Sequence, residues 1–253
     1  MKDIINLKNK VCIITGVGKG IGRETAILFK EQGVNLALIT RSKEDMDSLI
    51  LELNMKEASV YYEVGDVSDE IVVQKFVSNT YKKFKRIDIL INNAGIRFRK
   101  KFLEIEYKEW QNVLNVNAGS TFLFCREVGK YMIEQQSGSI INMASIIGTL
   151  GLSELVGYGA SKGAILSLTK SLALEWAKYG IRVNVLVPGF CETSYSDNFK
   201  KNDELYSFTI DRTPMKRWGK SKDIGNACIY LASDMSSYVT GETISIDGGW
   251  SAW

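Results

Sequence analysis

The sequence predicts an α/β fold, a doubly wound parallel sheet of the Rossmann type with about seven strands and helices on both faces. A short β-branched apolar run near the start leads into a glycine-rich turn and then an amphipathic segment, which is how a βαβ unit begins. Further apolar runs alternate with helical stretches up to the last residues. A length of 253 residues suits one such unit, so residues 1–253 are expected to form a single dinucleotide-binding and catalytic domain.

The composition is that of an ordinary globular protein, with 45% hydrophobic and 24% charged residues. The formal net charge of +3 is small and no long block of one sign occurs, so neither nucleic acid nor a membrane surface is an expected partner. The sequence has no apolar stretch typical of a signal peptide or a membrane span. A cytoplasmic location is therefore expected.

Histidine is absent from the sequence, and the four cysteines are far apart without a C-x-x-C pair. This excludes Ser-His and Cys-His nucleophile pairs, and it removes the usual zinc ligands. No metal site and no disulfide framework are expected. Acid/base chemistry must then use Tyr, Lys, Asp or Glu.

The first strand is predicted over residues 10–15, and a helix over about 23–32. The glycines between them do not fit G-x-G-x-x-G, because Ile21 and Arg23 fall where the third glycine should be. They fit T-G-x-x-x-G-x-G, which still lets backbone N–H groups and a helix N-terminus meet a pyrophosphate. The loop residues expected to contact the cofactor are Gly16, Gly18, Lys19, Gly20, Ile21 and Gly22.

The second strand, 34–40, ends at Thr40, where folds that prefer NAD usually carry an acid for the ribose 2′-hydroxyl. Arg41 follows it and, together with Lys19, would clamp a 2′-phosphate. The alternative is two solvated surface cations. NADP is therefore the favoured cofactor, with NAD as the second choice.

A helix over about 43–55 and a third strand over 60–64 lead to Asp66 and Val67. Asp66 would accept a hydrogen bond from the adenine amino group, or else cap the helix that begins near Ser68. Both interpretations remain open.

The fourth strand, 87–91, ends in small and amide residues that would pass close beneath a cofactor; these are Asn93, Ala94 and Gly95. Basic residues follow, namely Arg97, Arg99 and Lys100. They would face an acidic substrate or form a solvated charge run.

A single long helix is predicted over 107–136. Asn117 is the polar exception on its apolar stripe, and a buried amide is costly without hydrogen-bond partners. It is either a satisfied core asparagine or part of the site.

Ser145 ends the fifth strand, and the helix over about 155–178 carries Tyr158 and Lys162 one turn apart. An ammonium about 4 Å away would favour phenolate by about 4 kcal/mol, or roughly three pKa units. This spacing therefore predicts an activated phenol, with the Ser145 hydroxyl holding a substrate oxygen.

The sixth strand, 181–187, ends at Pro188 and Gly189, and a polar stretch follows. A substrate lid is predicted at about 190–215, ahead of a helix at 223–232 and a last strand at 243–247.

Read together, T-G-V-G-K-G-I-G, G-D-V, N-N-A-G, N-V-N, I-I-N-M-A-S, Y-G-A-S-K, V-P-G-F-C-E-T and D-G-G resemble the short-chain dehydrogenase/reductase family over essentially the whole chain. The resemblance implies that Tyr158 is the general acid/base and that Lys162 lowers its pKa and holds the nicotinamide ribose. It implies that Ser145 binds the reacting oxygen and that Asn117 fixes a water. Residues implied to line the cofactor are Asp66, Asn93, Pro188, Gly189 and Thr193, with Thr193 near the carboxamide.

Such enzymes act on small carbonyl or alcohol substrates and are usually homodimers or homotetramers. The loops most resemble members that reduce keto-sugar acids, such as gluconate 5-dehydrogenase. The alternatives are a 3-oxoacyl-acyl-carrier-protein reductase and, from another class, a non-catalytic dinucleotide-binding scaffold.

Overall fold

The computed structural model describes residues 5–193 and 203–252. The strands are β1 (Val11–Thr15), β2 (Asn35–Thr40), β3 (Val60–Val64), β4 (Ile89–Asn92), β5 (Gly138–Met143), β6 (Ile181–Pro188), β7 (Cys191–Glu192), β8 (Gly219–Lys220) and β9 (Thr243–Ile246). The helices are α1 (Gly20–Glu31), α2 (Lys43–Leu53), α3 (Glu70–Phe84), α4 (Tyr107–Leu114), α5 (Ser120–Gln135), α6 (Val156–Trp176), α7 (Asp203–Arg212) and α8 (Ser221–Ala232).

Seven of these strands form one parallel sheet in the order β3-β2-β1-β4-β5-β6-β9. The predicted doubly wound fold is confirmed. The strand order reverses between β1 and β4, and in such sheets a crevice opens there at the carboxyl ends of the strands. The short strands β7 and β8 pair separately, on either side of α7 in the sequence.

Helices cover both faces of the sheet, because its central strands are apolar on both sides. β1 is buried along its whole length, as a strand between two helical layers must be. On one face α8 packs so closely on α1 that a Cβ at Gly225 would lie 2.5 Å from Leu28 Cδ1. On the other face a Cβ at Gly129 of α5 would lie 2.6 Å from the Trp176 ring of α6. Glycine thus sets the helix spacing on both faces.

The single helix predicted over 107–136 is wrong in one respect. α4 and α5 are joined by a π-helical turn, Asn115–Gly119, and turns of this kind are frequent at functional sites. The apolar stripe continues through the turn, so its periodicity gave no sign of a change. The helix α1 also begins earlier than predicted, at Gly20 rather than near Arg23.

The predicted lid cannot be followed through its whole length. Residues 194–202 lie outside the described part of the chain, and the remainder of the 190–215 stretch holds β7 and α7. The lid stays a prediction. No helix in residues 5–193 or 203–252 combines the length and the apolar character needed to cross a bilayer.

Candidate active site

A cleft of about 450 Å³ lies at the carboxyl ends of the sheet strands. The predicted site residues that line it are Gly16, Gly18, Lys19, Gly20, Ile21, Arg41, Asp66, Val67, Asn93, Ala94, Gly95, Ser145, Tyr158, Lys162, Pro188, Gly189 and Thr193. Two predicted residues do not line the cleft, namely Gly22 and Asn117. Both lie behind the wall and hold it in place, as described below.

The glycine turn after β1 has a shape that side chains would prevent. Gly16 and Gly20 have φ of +69° and +59°, in the left-handed region that glycine favours. A Cβ at Gly22 would lie 2.3 Å from the Gly16 carbonyl oxygen. The Asn93 amide donates to the carbonyls of Thr15 and Gly16 at 3.1 and 3.0 Å, tying the turn to the end of β4. Gly22 is therefore a packing requirement of the turn.

The N-terminus of α1 faces this turn without a cap from its own chain. Lys19 occupies the N-cap position and makes no side-chain capping bond, and the first turn has no acidic residue. The first N–H groups of a helix have no partner within it and attract anions. A glycine cradle with an uncapped helix start fits the pyrophosphate of a dinucleotide.

Asp66 lies at the wall of the same cleft and does not cap α3. Its carboxylate accepts from the Ser68 N–H at 2.9 Å and from the Ser68 hydroxyl at 2.7 Å, while Asp69 is the N-cap. The capping alternative is therefore wrong. Burial raises the pKa of Asp66, but the two Ser68 bonds and the charge of Arg41 outweigh it, so the net pKa is lowered. Asp66 is thus an ionised acceptor.

The neighbouring wall contains an acidic residue that the sequence analysis missed. Asp45, in the first turn of α2, lies 3.6 Å from the Lys19 ammonium (Oδ1 to Nζ) and lines the cleft with Thr40, Arg41 and Ser42. An acid three residues after a capping serine is an ordinary helix start, which gave no reason to suspect a second role.

Tyr158 and Lys162 occupy one face of α6, as predicted. The Lys162 ammonium lies 5.8 Å from the centre of the Tyr158 ring and donates to the Met143 carbonyl at 2.8 Å. Lys162 is buried, and burial lowers its pKa to about 8. Lys162 is thus anchored at the end of β5, beside Ser145.

The predicted lowering of the Tyr158 pKa is wrong. Burial raises the pKa of Tyr158, opposed by a hydrogen bond with Ser145 and by the charge of Arg97. Lys162 donates to the Met143 carbonyl, and it is not among the groups that lower the pKa of Tyr158.

Asn117 is held in the π-helical turn and is fully buried. Its carbonyl oxygen accepts from the Ile96 N–H at 2.7 Å, and its NH₂ donates to the Ile96 carbonyl and to the Ser161 hydroxyl at 3.0 and 2.9 Å. A Cβ at Gly95 would lie 3.0 Å from the Asn117 oxygen and 3.5 Å from the Lys162 nitrogen. Asn117 therefore fixes the loop after β4 against α6, next to Lys162, and its water-holding role stays a prediction.

The three basic residues after β4 have different surroundings. Arg99 pairs with Glu154 and Lys100 with Glu109, each at 2.7 Å. Arg97 instead lines the cleft, close enough to Tyr158 for their charges to interact. Burial lowers the pKa of Arg97, and the charge of Tyr158 opposes this shift. Only one residue of the basic run thus contributes to the cleft.

Aromatic residues form the cleft wall beside β7 and β8. The Phe190 ring stacks on Trp218 with 5.5 Å between centroids and meets Trp250 at 4.8 Å. Phe190 and Trp218 line the cleft. Sequence analysis missed them, because Trp218 comes nearly thirty residues later within a polar stretch and nothing local links the two.

Comparison with known proteins identifies the family of the chain. A family model described as Enoyl-(Acyl carrier protein) reductase matches residues 16–251, nearly the whole chain. The chain belongs to the short-chain dehydrogenase/reductase family. Its relatives are dehydrogenases and reductases that act on CH–OH or carbonyl groups. This chain is accordingly an oxidoreductase of that family.

Two curated relatives match almost all of this chain. A 3-oxoacyl-(acyl-carrier-protein) reductase from Thermotoga maritima is 38% identical over 245 residues, which is 97% of this chain and 99% of that protein. A 2-dehydro-3-deoxy-D-gluconate 5-dehydrogenase from Dickeya dadantii is 34% identical over 253 residues, with 99% and 98% covered. The two names correspond to the two substrate classes that the sequence suggested.

A solved structure extends the similarity to the fold. The crystal structure of a gluconate 5-dehydrogenase from Burkholderia cenocepacia J2315, in complex with NADP and tartrate, has a TM-score of 0.93 and 32% identity to this chain. The match covers 99% of this chain and 98% of that one.

Within residues 5–193 and 203–252 no group of three or more Cys, Asp or Glu side chains could hold a metal ion.

Proposed function

We propose that this reductase interconverts a ketone and a secondary alcohol with NADP(H) as the cofactor. The observation that carries the proposal is the meeting of Ser145, Tyr158 and Lys162 at the carboxyl end of β5, in the same cleft as the uncapped start of α1. The bound dinucleotide would supply or accept the hydride at its nicotinamide ring. All other steps fall to side chains of this chain.

Tyr158 would give its phenolic proton to the carbonyl oxygen during reduction and take a proton from the alcohol during oxidation. Ser145, which is hydrogen-bonded to Tyr158, would hold the same oxygen. Lys162 would hold the nicotinamide ribose, and its pKa of about 8 means that its charge depends on pH near neutrality. Asn117 would hold the loop after β4 in a fixed position next to Lys162.

We further propose a small acidic ketone, a keto-sugar acid, as the substrate. Arg97 supports this, because it offers a guanidinium beside the phenol inside the cleft. Pairing of Arg99 and Lys100 with glutamates leaves less basic surface for an acidic carrier protein. The 38% identical relative keeps a 3-oxoacyl-acyl-carrier-protein reductase as the second candidate.

The experiment that tests the function follows nicotinamide absorbance with NADPH, and separately NADH, against keto-sugar acids, 3-oxoacyl thioesters and neutral diketones. Fastest turnover of a keto acid with NADPH is the expected result. Preference for the acyl thioester would replace the proposed substrate by the second candidate. Dinucleotide binding without turnover of any compound would favour the non-catalytic scaffold and contradict the proposal.

Replacing Arg97 with methionine should separate acidic from neutral substrates. Hydrogen bonds to charged groups contribute about 1.5–3 kcal/mol, so KM for an acidic ketone should rise about 10- to 100-fold. KM for a neutral ketone should change little. Arg99→Met removes the same charge two residues on but outside the cleft, and serves as the matched control. Equal effects of the Arg97 change on both substrates would argue against an acidic substrate.

Replacing Arg41 with alanine should weaken the binding of NADPH more than the binding of NADH. Arg41 lines the cleft beyond the end of β2, where a 2′-phosphate would be recognised by its guanidinium. Loss of one charged hydrogen bond should raise the Kd of NADPH about tenfold or more and that of NADH by less than about threefold. Dissociation constants from nicotinamide fluorescence measure both, and equal losses would contradict the phosphate clamp.

We also propose a homodimer or homotetramer, built on the long helices. Phe122 of α5 and Leu174 of α6 support it, because they are 48% and 86% exposed in the single chain. Light scattering of the purified chain would give the mass, and a monomer would contradict this expectation.

A further inference from the structure

Asp45 lies in the part of the cleft where the cofactor's adenosine ribose is expected. Its carboxylate contacts Lys19 and is 26% exposed, while Lys19 is 60% exposed. A Cβ on Gly18 would lie 3.0 Å both from Asp45 Oδ2 and from Thr40 Oγ1. The carboxylate therefore reaches over the glycine turn towards the end of β2.

The cations near the Asp45 carboxylate have partners of their own. The side chain of Arg23 donates to the Gly18 and Asp45 carbonyls and pairs with Glu52 at 2.6 Å. The charge of Arg41 helps to lower the pKa of the Asp66 carboxylate. Both cations that would bind a 2′-phosphate, Lys19 and Arg41, thus already interact with an acid.

We propose that Asp45 is a specificity-determining residue that limits the preference for NADP over NAD; this rests on the proposed dinucleotide function. A 2′-phosphate has to compete with Asp45 for Lys19 and experiences like-charge repulsion from the carboxylate. A ribose 2′-hydroxyl instead finds an acceptor there. In other folds of this kind the acceptor is an acid at the end of β2, where this chain has Thr40. Asp45 on α2 would accept the hydrogen bond instead.

The test measures binding of two adenosine fragments, 2′,5′-ADP and 5′-AMP, to the full-length protein by calorimetry. Asp45→Asn should lower the Kd of 2′,5′-ADP about tenfold, because Lys19 is released and the like-charge repulsion is lost. It should not lower the Kd of 5′-AMP. Asp47→Asn removes the same charge from the same helix, where Asp47 pairs only with the exposed Lys43, and should change neither Kd by more than about twofold. An Asp45→Asn variant that behaves like Asp47→Asn would overturn the proposal.

A second pair of variants tests the route through Lys19. In a Lys19→Met background the gain from Asp45→Asn should shrink to less than half, because part of it depends on releasing the ammonium. If the gain in 2′,5′-ADP affinity were as large in the Lys19→Met background, the proposed competition for Lys19 would be wrong. Asp45→Ser, which keeps a small polar group at the helix start, should repeat the Asp45→Asn result if the fold is intact, and near-ultraviolet circular dichroism checks that fold.

These measurements distinguish the two proposals because they need no carbonyl substrate and no turnover. A wild-type chain that binds neither fragment contradicts the proposed function and, with it, the role of Asp45. A wild-type chain that binds both fragments, with no response to Asp45→Asn, contradicts the role of Asp45 alone.

Discussion

Tyr158→Phe is expected to lower kcat by about a thousandfold, the usual range for loss of a general acid/base being roughly 10²–10⁴. The substitution removes one oxygen and keeps the ring, so the contact between that ring and the Lys162 ammonium persists. The Kd of the dinucleotide should therefore change by less than about threefold. Stopped-flow reduction of the best ketone from the panel, with fluorescence titration of the cofactor, measures both quantities.

Tyr238→Phe is the matched control, since Tyr238 is fully exposed and does not line the cleft. It should keep wild-type kcat. If Tyr158→Phe kept more than about a tenth of the activity, the Tyr158 hydroxyl would not be the general acid/base of the reaction.

The pH profile of the wild-type enzyme should reflect the pKa of Tyr158 as well. Because burial raises the pKa of Tyr158, the phenol stays protonated at neutral pH and is ready to act as the acid in reduction. Oxidation requires the phenolate, so its rate should rise with pH. Arg97, the proposed substrate-binding residue, opposes the effect of burial on the Tyr158 pKa through its charge.

The sheet was predictable because each strand is a short apolar run with a turn signal after it, and the sequence carries that information locally. Most cleft residues were predictable for the same reason, since they follow strand ends. Asp45 and Trp218 were not, because their places in the cleft depend on how α2 and the segment before α8 pack. The π-helical turn at Asn117 was hidden because the apolar stripe of α4 continues into α5.

The side-chain direction of Lys162 was also beyond the sequence. Spacing placed it on the same helix face as Tyr158, which is confirmed, but its hydrogen bond to the Met143 carbonyl depends on where β5 ends against α6. Burial at this place is the reason why the pKa of Lys162 is lowered.

Lys162→Met is expected to abolish most activity and, at neutral pH, to stabilise the folded chain. The pKa of Lys162 is about 8 in the folded chain and about 10.4 in an unfolded one. Below pH 8 the folded chain therefore bears the cost of a buried ammonium, about 3 kcal/mol at 1.36 kcal/mol per unit. Removing the side chain recovers that energy but leaves the Met143 carbonyl without its donor, which costs about 1–3 kcal/mol. The net gain at pH 7 should be about 1 kcal/mol.

The sign of the pH dependence is what distinguishes this explanation from a simple packing effect. Between pH 8 and 10.4 the unfolded chain binds more protons at this lysine than the folded chain, so wild-type stability rises with pH through that window. The advantage of Lys162→Met should therefore fall by about 3 kcal/mol between pH 7 and 10.5, and reverse. Denaturant unfolding at equal chain concentration measures it, with Lys170→Met, an exposed lysine on the same helix, as the control. A difference between Lys162→Met and wild type that stays constant across this range would mean that the ammonium is not buried as described, and that Lys162 does not titrate near the pH at which Tyr158 must exchange its proton.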